Sequence, residues 1–329
     1  MANLRAGVIG IGAMGRHHVR ILRELDGVDL VAVVDPGGDR FGVAEGLDVG
    51  RSVDDLIAAR LDMAVVAVPT AHHEEVGLAL AEAGIATMLE KPVAASVAAA
   101  VQVRDAFAKA GVFACVGHIE RFNPAISELR RRVAAGALGT IYQVSTSRHS
   151  AFPSRVADVG VVKDLATHDI NTAQWVAGSD YRLVSAQVAH RAGREHEDMV
   201  SVTALLESTV LVNHLVDWLS PRKVRRTTVI GEGGALVADT AEVSLTHWAN
   251  GSMDTDWEPL RQFRGVTEGD MTRFAIQTFE PLRAEDEAFR DAVLGLRNDV
   301  VSLEDGVKTL VVAEAALESA RTGETVRLG

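Results

Sequence analysis

The sequence has a single cysteine, Cys115. No disulfide framework can therefore form within the chain, which fits a reducing cytoplasm. Cys115 lies in Val112-Phe113-Ala114-Cys115-Val116, an apolar, strand-like run where a cysteine reads as a small buried hydrophobe rather than a nucleophile. Aromatic residues are scarce, at 5%. No apolar stretch reaches the length of a membrane span, and the chain opens directly on a strand, so neither a membrane segment nor a signal peptide is expected. Basic residues are in deficit: 33 Lys and Arg against 45 Asp and Glu leave a net charge of −12. That argues against nucleic-acid binding, which needs a basic surface. Hydrophobic residues (47%) and charged residues (24%) stand at the levels of a soluble globular chain. Its 329 residues exceed what one hydrophobic core usually serves, so two domains are expected.

The first half alternates strands and helices. Arg5 to Ile9, Val28 to Val34, Leu61 to Val68, Ile85 to Leu89 and Val112 to Val116 are short apolar runs. Between them, Gly15 to Leu25, Glu74 to Ala83 and Ser96 to Ala110 have helical spacing, and Gly84 and Gly111 end two of those helices. Strands that are apolar throughout and separated by helices predict a parallel, doubly wound sheet covered on both faces. The second half strings strand-like runs together: Thr140 to Arg148, Leu183 to His190, Val200 to Leu206, Val210 to Leu215, Thr227 to Ile230 and Leu236 to Ala238. These predict an α+β domain with an open, mainly antiparallel sheet, and helices near Glu280 to Leu296 and Leu303 to Arg321. The expected division is 1–120 and 121–329.

Gly10-Ile11-Gly12-Ala13-Met14-Gly15 follows a strand and opens a helix, and Asp35 stands 20 residues after Gly15. This is the dinucleotide-binding arrangement. Gly10 permits the tight turn, Gly12 lets backbone approach a pyrophosphate, and Gly15 lets helix and strand pack closely. Ala13 and Met14 complete the turn at the helix N-terminus, where phosphate charge is favoured. Asp35 is placed to accept hydrogen bonds from the adenosine ribose and to repel a 2′-phosphate, which selects NAD; Arg40, close by, leaves NADP open. Pro69 and Thr70 end a central strand and wall the groove, with His73 beside them.

Leu89-Glu90-Lys91-Pro92 ends the fifth strand, where the ligand crevice of such a fold lies. The proline stiffens the backbone, and an X-Pro bond there can be cis. Lys91 is thus a charged donor held beside the expected cofactor. In the second half, Asp164 and His168 are four residues apart and share a face if helical. A carboxylate beside an imidazole fixes its tautomer and raises its basicity. That dyad can take a proton from a hydroxyl while Lys91 stabilises the developing alkoxide; Lys91 is the alternative proton acceptor. A helix cap with a surface histidine is the plainer reading of Asp164 and His168, and no metal site is expected.

Gly10-x-Gly12-x-x-Gly15, Glu90-Lys91-Pro92 and Asp164-x-x-x-His168 together resemble the glucose-fructose oxidoreductase / inositol dehydrogenase (Gfo/Idh/MocA) family. The resemblance implies a Rossmann domain and an open-faced sheet that builds homodimers or homotetramers. It implies that Glu90 lies near the nicotinamide ribose and that Lys91, Asp164 and His168 form the catalytic centre. Val116 to Pro124, Arg155 to Val162 and Trp218 to Arg225 are further similar to UDP-N-acetylglucosamine 3-dehydrogenases and related nucleotide-sugar enzymes, which make 3-keto sugars. For such a substrate, Arg121, Arg155 and the Arg222-Lys223 pair are the candidate cations for the diphosphate, and Asn123 is a candidate contact to the sugar. A solvated strand edge is the plainer account of Arg222 and Lys223, and a turn-forming Asn before Pro124 that of Asn123.

The expectation is a cytoplasmic, NAD-dependent dehydrogenase of a secondary hydroxyl, with UDP-N-acetylglucosamine as first substrate. The alternatives are a free inositol, polyol or sugar, an NAD-dependent glycosidase on the same fold, or a non-catalytic cofactor sensor. Neither nucleic acid nor membrane is an expected partner. For the cofactor, the expected outcome is that Asp35→Arg weakens NAD binding and admits NADP in titrations with each. Unchanged affinity for both would remove Asp35 from the ribose site.

Overall fold

A computed structural model describes residues 3–152, 159–251 and 267–329. The chain divides into two compact units, Met1–Phe122 with Phe279–Val311, and Asn123–Thr278 with Val312–Gly329. This differs from a single division at residue 120. The reason is packing: Phe289, Val301, Leu303, Val307 and Leu310, late in the chain, are buried in the hydrophobic clusters of the first unit.

The first unit is built on six strands, β1 (Leu4–Ile9), β2 (Val28–Val34), β3 (Val49–Gly50), β4 (Met63–Val66), β5 (Ala86–Glu90) and β6 (Ala114–Gly117). All pair in parallel, in the order β3-β2-β1-β4-β5-β6. Helices α1 (Gly15–Glu24), α2 (Val53–Ala58), α3 (His73–Glu82) and α4 (Val97–Ala110) make the crossovers. Successive strand residues enter opposite cores. Ala64, Val66 and Leu89 face Leu80, Val103 and Phe107, whereas Met63, Val65 and Met88 face Val19, Leu22 and Phe289. Burial on both faces is why these strands read as unbroken apolar runs. Cys115 is a free, buried thiol in this packing.

The second unit carries α5 (Pro124–Ala134), β7 (Ile141–Ala151), α6 (Thr167–Ala177), β8 (Tyr181–Ala189), β9 (Met199–Leu206), β10 (Leu211–Asp217), β11 (Leu219–Gly231), β12 (Gly234–Asp239), β13 (Ser244–Gly251), β14 (Thr267–Phe274) and β15 (Val326–Arg327). They form one nine-stranded sheet in the order β14-β13-β12-β11-β7-β10-β9-β8-β15. Only β7 with β10 is parallel; the other pairs are antiparallel. Helices α5 and α6 cover one face, burying Val200, Val202, Val212 and Val216 with Ile126, Ile170 and Ala173. The alternate residues stand on the other face, where Leu211, Leu215, Ile230, Trp248 and Met271 are exposed. Among the described residues, no helix is long and apolar enough to cross a membrane.

Polar contacts inside this core fix where α6 lies. Arg148 on β7 donates through Nε to Asp169 Oδ2 at 2.6 Å, with both side chains buried. Beside them, His214 is pushed down to about 3 by burial and then by the Arg148 charge, so its ring is neutral. One consistent network follows. Thr146 donates its hydroxyl to His214 Nδ1 (2.7 Å), His214 Nε2 donates to the Tyr181 hydroxyl (2.8 Å), and Tyr181 donates to the Ile170 carbonyl of α6 (3.3 Å). Breaking a buried pair strands one charge, at about 3–5 kcal/mol. Arg148→Met is therefore expected to destabilise the second unit by about that amount, with the Arg148→Met/Asp169→Leu double variant recovering most of it. Chemical denaturation checks this; single-variant losses under about 1 kcal/mol, the scale of an exposed pair, would show that the pair does not hold α6.

Candidate functional site

The glycine turn has the geometry its spacing predicts. Gly10 has φ +85°, and a Cβ there would lie 2.6 Å from the Ala67 carbonyl carbon, while one on Gly15 would lie 1.8 Å from the Gly10 carbonyl oxygen. A Cβ on Gly12 would meet nothing within 4 Å. No side chain caps the N-terminus of α1. A backbone open at Gly12 and a helix start free of a side-chain cap fit the pyrophosphate of a dinucleotide. Ala13 is exposed and Met14 partly so. Asp35 also braces the turn, a link that spacing does not reveal: its Oδ2 accepts the Ile11 N–H (3.1 Å) and its Oδ1 the Gly37 N–H (2.7 Å).

Pro69 is exposed and Thr70 half-buried after β4. His73 is 1% exposed. Its two ring nitrogens face the Val68 carbonyl (3.0 Å) and the Pro92 carbonyl (2.9 Å), and the neutral ring can donate to only one of them. Burial pulls its pKa down. The Lys91-Pro92 bond is cis, and Lys91 is partly exposed. Glu90 is buried behind it, with Oε2 accepting the Lys91 backbone N–H (3.1 Å) and Oε1 facing His18 Nε2 (3.1 Å). The other nitrogen of His18 faces Asp286 Oδ1 at 2.9 Å. His118 is buried, and its pKa is pushed down to about 3 by burial and then by the Arg121 and Lys91 charges. Arg121 is also buried, and its Nη1 lies 3.1 Å from Asp305 Oδ2.

In the second unit, residues Val162–Ala166 form a π-helical turn that runs into α6. Asp164 and His168 are both buried there, on adjacent turns. Such turns recur at functional sites, and neither spacing nor composition announces one. The segment is anchored by Glu197, whose Oε1 accepts the Val162 N–H (3.0 Å) and whose carbonyl accepts the Val161 N–H (3.0 Å). A Cβ on Gly160 would sit 2.0 Å from Glu197 Oε1, which explains the glycine. Asn123 is the N-cap of α5: its Oδ1 accepts the Ala125 N–H (3.0 Å) and its Nδ2 donates to the Thr240 carbonyl (3.4 Å). This is the turn role that Pro124 suggests. Arg222 and Lys223 lie exposed in the first half of β11, where the register against β7 shifts. Arg155 lies outside the described residues.

Two buried groups escaped the sequence reading, Glu285 and Asp286 on the helix Pro281–Val293. A signal for the acids does exist. Leu282, Glu285, Asp286 and Phe289 recur at helical spacing, so the two acids fall on the apolar stripe. Among the described residues, neither Glu285 oxygen has a hydrogen-bond partner, and burial followed by the Glu90 charge pushes its pKa well up. Burial thus favours the protonated form of Glu285. No group of three or more His, Cys, Asp or Glu among the described residues is placed to hold a metal.

Comparison with known proteins agrees with this geometry. The sequence model of an oxidoreductase family with an NAD-binding Rossmann fold (GFO_IDH_MocA) matches residues 4–118. That of the GFO/IDH/MocA C-terminal domain matches residues 126–237. The chain is 30% identical to inositol 2-dehydrogenase 2 of Saccharopolyspora erythraea, over 98% of this chain and 94% of that one. Among solved structures it resembles GenD2 from gentamicin A biosynthesis, solved in complex with NAD, with a TM-score of 0.84 and 26% identity over 100% of this chain and 97% of that one. It also resembles the UDP-N-acetylglucosamine 3-dehydrogenase GnnA of Acidithiobacillus ferrooxidans, with a TM-score of 0.84 and 24% identity over 97% and 98% of the two chains; that likeness is one of fold. Matched in both halves, and along nearly its whole length by an inositol dehydrogenase, the chain belongs to the Gfo/Idh/MocA family of NAD-binding oxidoreductases.

Proposed function

We propose that this protein oxidises a secondary hydroxyl of a free inositol, related polyol or sugar. NAD, when bound, supplies the hydride acceptor. His168 removes the hydroxyl proton, and Asp164, one turn earlier, orients and strengthens that base. Lys91 steadies the negative charge that grows on the oxygen. The observation that carries this reading is Lys91 itself. It follows a buried, hydrogen-bonded Glu90 at the carboxyl end of a parallel strand, in the unit that holds the open glycine turn. A free polyol is favoured over a nucleotide sugar because two groups suited to the latter are engaged: Arg121 pairs with Asp305, and Asn123 caps α5. The 30% identity to an inositol 2-dehydrogenase supports the same substrate class.

A nucleotide sugar such as UDP-N-acetylglucosamine is the second reading. It is supported by Phe152, 37% exposed, whose ring is flanked by Arg194 at 4.2 Å and by Trp218 at 5.4 Å. An exposed ring held in this way suits stacking against a base.

We also propose that the open face of the nine-stranded sheet packs on a second copy of the chain. Met271, Trp248, Ala235, Ile230 and Leu211 lie in one register row across the sheet, with the polar Gln143 between the last two. Apolar residues aligned across an exposed sheet face are the features of an interface.

Lys91→Ala and His168→Ala are each expected to lower turnover by about 10²–10⁴-fold, the range for a positioned acid or base, while NAD still binds by fluorescence titration. Near-normal turnover in either would remove that residue from the mechanism. A turnover and thermal-shift screen of inositols, sugars and UDP-sugars with NAD should show saturation by a free polyol or sugar. Stabilisation by UDP alone would transfer the assignment to the nucleotide sugar, and sugar release without net NADH would mark a glycosidase. For assembly, light scattering should report a dimer or larger, and Ile230→Asp with Leu211→Asp should shift it to monomer; a monomeric wild-type chain would refute the packing.

A further inference from the structure

The first unit buries four titratable side chains in one cluster drawn from three elements. His18 comes from α1, Glu90 from the end of β5, and Glu285 and Asp286 from the helix Pro281–Val293; all are at most 9% exposed. None of them approaches a hydroxyl to be oxidised in the reading above. Burying such groups together is costly unless they are paired and hydrogen-bonded, so their arrangement calls for a role.

We propose that His18 is the positioning residue of the Glu90–Lys91 turn: held between Asp286 and Glu90, it donates from both ring nitrogens and so orients the Glu90 carboxylate against the Lys91 backbone amide. The geometry is direct. His18 Nδ1 lies 2.9 Å from Asp286 Oδ1, His18 Nε2 lies 3.1 Å from Glu90 Oε1, and Glu90 Oε2 accepts the Lys91 N–H at 3.1 Å. A neutral imidazole has one N–H and one lone pair, so it cannot donate to two carboxylates; the imidazolium can. Burial pulls His18 down, but the charges and hydrogen bonds of Asp286 and Glu90 outweigh it and hold the ring well above its usual 6.5. For Glu90, burial pushes upward, and His18 followed by Lys91 outweighs it, leaving the carboxyl below its ordinary range.

Burial pushes the Asp286 carboxyl up, against the pull of the His18 charge and hydrogen bond, and burial pushes Glu285 well up. Cys115, packed nearby, is held as a thiol chiefly by its burial. His17 and Arg20, on the same helix as His18, and Glu280, just before the second helix, complete the surrounding charges. Because the folded pKa of His18 is raised, the stability it contributes is fully present below about 6.5 and is lost as pH rises through the folded value. The clamp therefore fails on the alkaline side.

The inference rests on the dehydrogenase reading only for its turnover measurement; the spectroscopic one stands alone. In the full-length protein with histidine labelled by nitrogen-15, and with the His18 signals assigned by their loss in His18→Asn, both ring nitrogens should remain protonated at pH 7–8. Asp286→Asn should bring the His18 titration to lower pH and move the alkaline limb of kcat/KM by the same amount. It should lower kcat on the order of 10–100-fold, the scale of a misplaced catalytic group, and change NAD affinity far less. A singly protonated His18 at neutral pH overturns the proposal. So does an Asp286→Asn protein that loses activity evenly across pH with the His18 titration unmoved, since a purely structural role predicts that. If wild-type protein turns over no polyol or sugar while His18 is doubly protonated and shifts in Asp286→Asn, the substrate reading falls and the clamp stands.

Discussion

A carboxylate cannot be buried at the end of a strand without an answering charge, and Glu90 is the point where this protein meets that constraint. An isolated buried carboxylate costs several kcal/mol, enough to consume much of the stability of an ordinary domain. Here His18 answers Glu90, and Asp286 answers His18. The first answering group comes from the helix that the glycine turn opens, and the second from a helix some 270 residues later in the chain. The return of Phe279–Val311 to the first unit is therefore more than a matter of apolar packing. It delivers the acid that lets a histidine hold its proton next to the strand end that presents Lys91.

The second unit solves the same problem in a different way. The segment proposed to carry the base begins on a π-helical turn, a rare backbone form, and the neighbouring side chains hold it. Glu197 caps its start, Arg148 grips Asp169 one residue beyond His168, and Tyr181 holds the Ile170 carbonyl. In both units the group proposed to act on substrate sits next to a buried polar contact made by its immediate sequence neighbour: Glu90 beside Lys91, and Asp169 beside His168. In each case a polar contact of the neighbour fixes the chain beside the side chain proposed to act.

How much of this was legible in the sequence follows from which interactions are local. The parallel strands were, because burial on both faces leaves apolar runs such as Met63–Val66 that admit little else. So was the glycine turn, whose three positions are each required by close backbone contact or by access. Missed were elements too short to show a period, such as the two-residue β3 and the six-residue α2, although Ser52 and Asp55 form a capping box at the start of α2. Strand β13 reads as polar in part because its open face, which carries Thr246, meets no core. On the second sheet, Val200, Val202 and Val216 are core and Leu211 is on the open face. That division depends on register, which a single sequence does not fix. The buried acids were missed because a charge on an apolar stripe has meaning only once its partner, far away in sequence, is known.

The same accounting bears on substrate. A diphosphate would need Arg121 to leave Asp305, and losing one partner of a fully buried pair costs about 3–5 kcal/mol. Asp305 is 32% exposed, so water would answer part of its charge and lower that cost. A charged hydrogen bond from Arg121 to phosphate would return about 1.5–3 kcal/mol. The exchange comes out near balance, so Arg121 supplies no driving force for a diphosphate. A ring that carries only hydroxyls asks nothing of Arg121 and leaves its pair with Asp305 intact. The chemistry proposed for Lys91 and His168 is the same on either substrate, so substrate identity must be decided by groups outside that centre; of the described candidate cations, Arg121 is paired and Arg222 and Lys223 lie on an exposed strand.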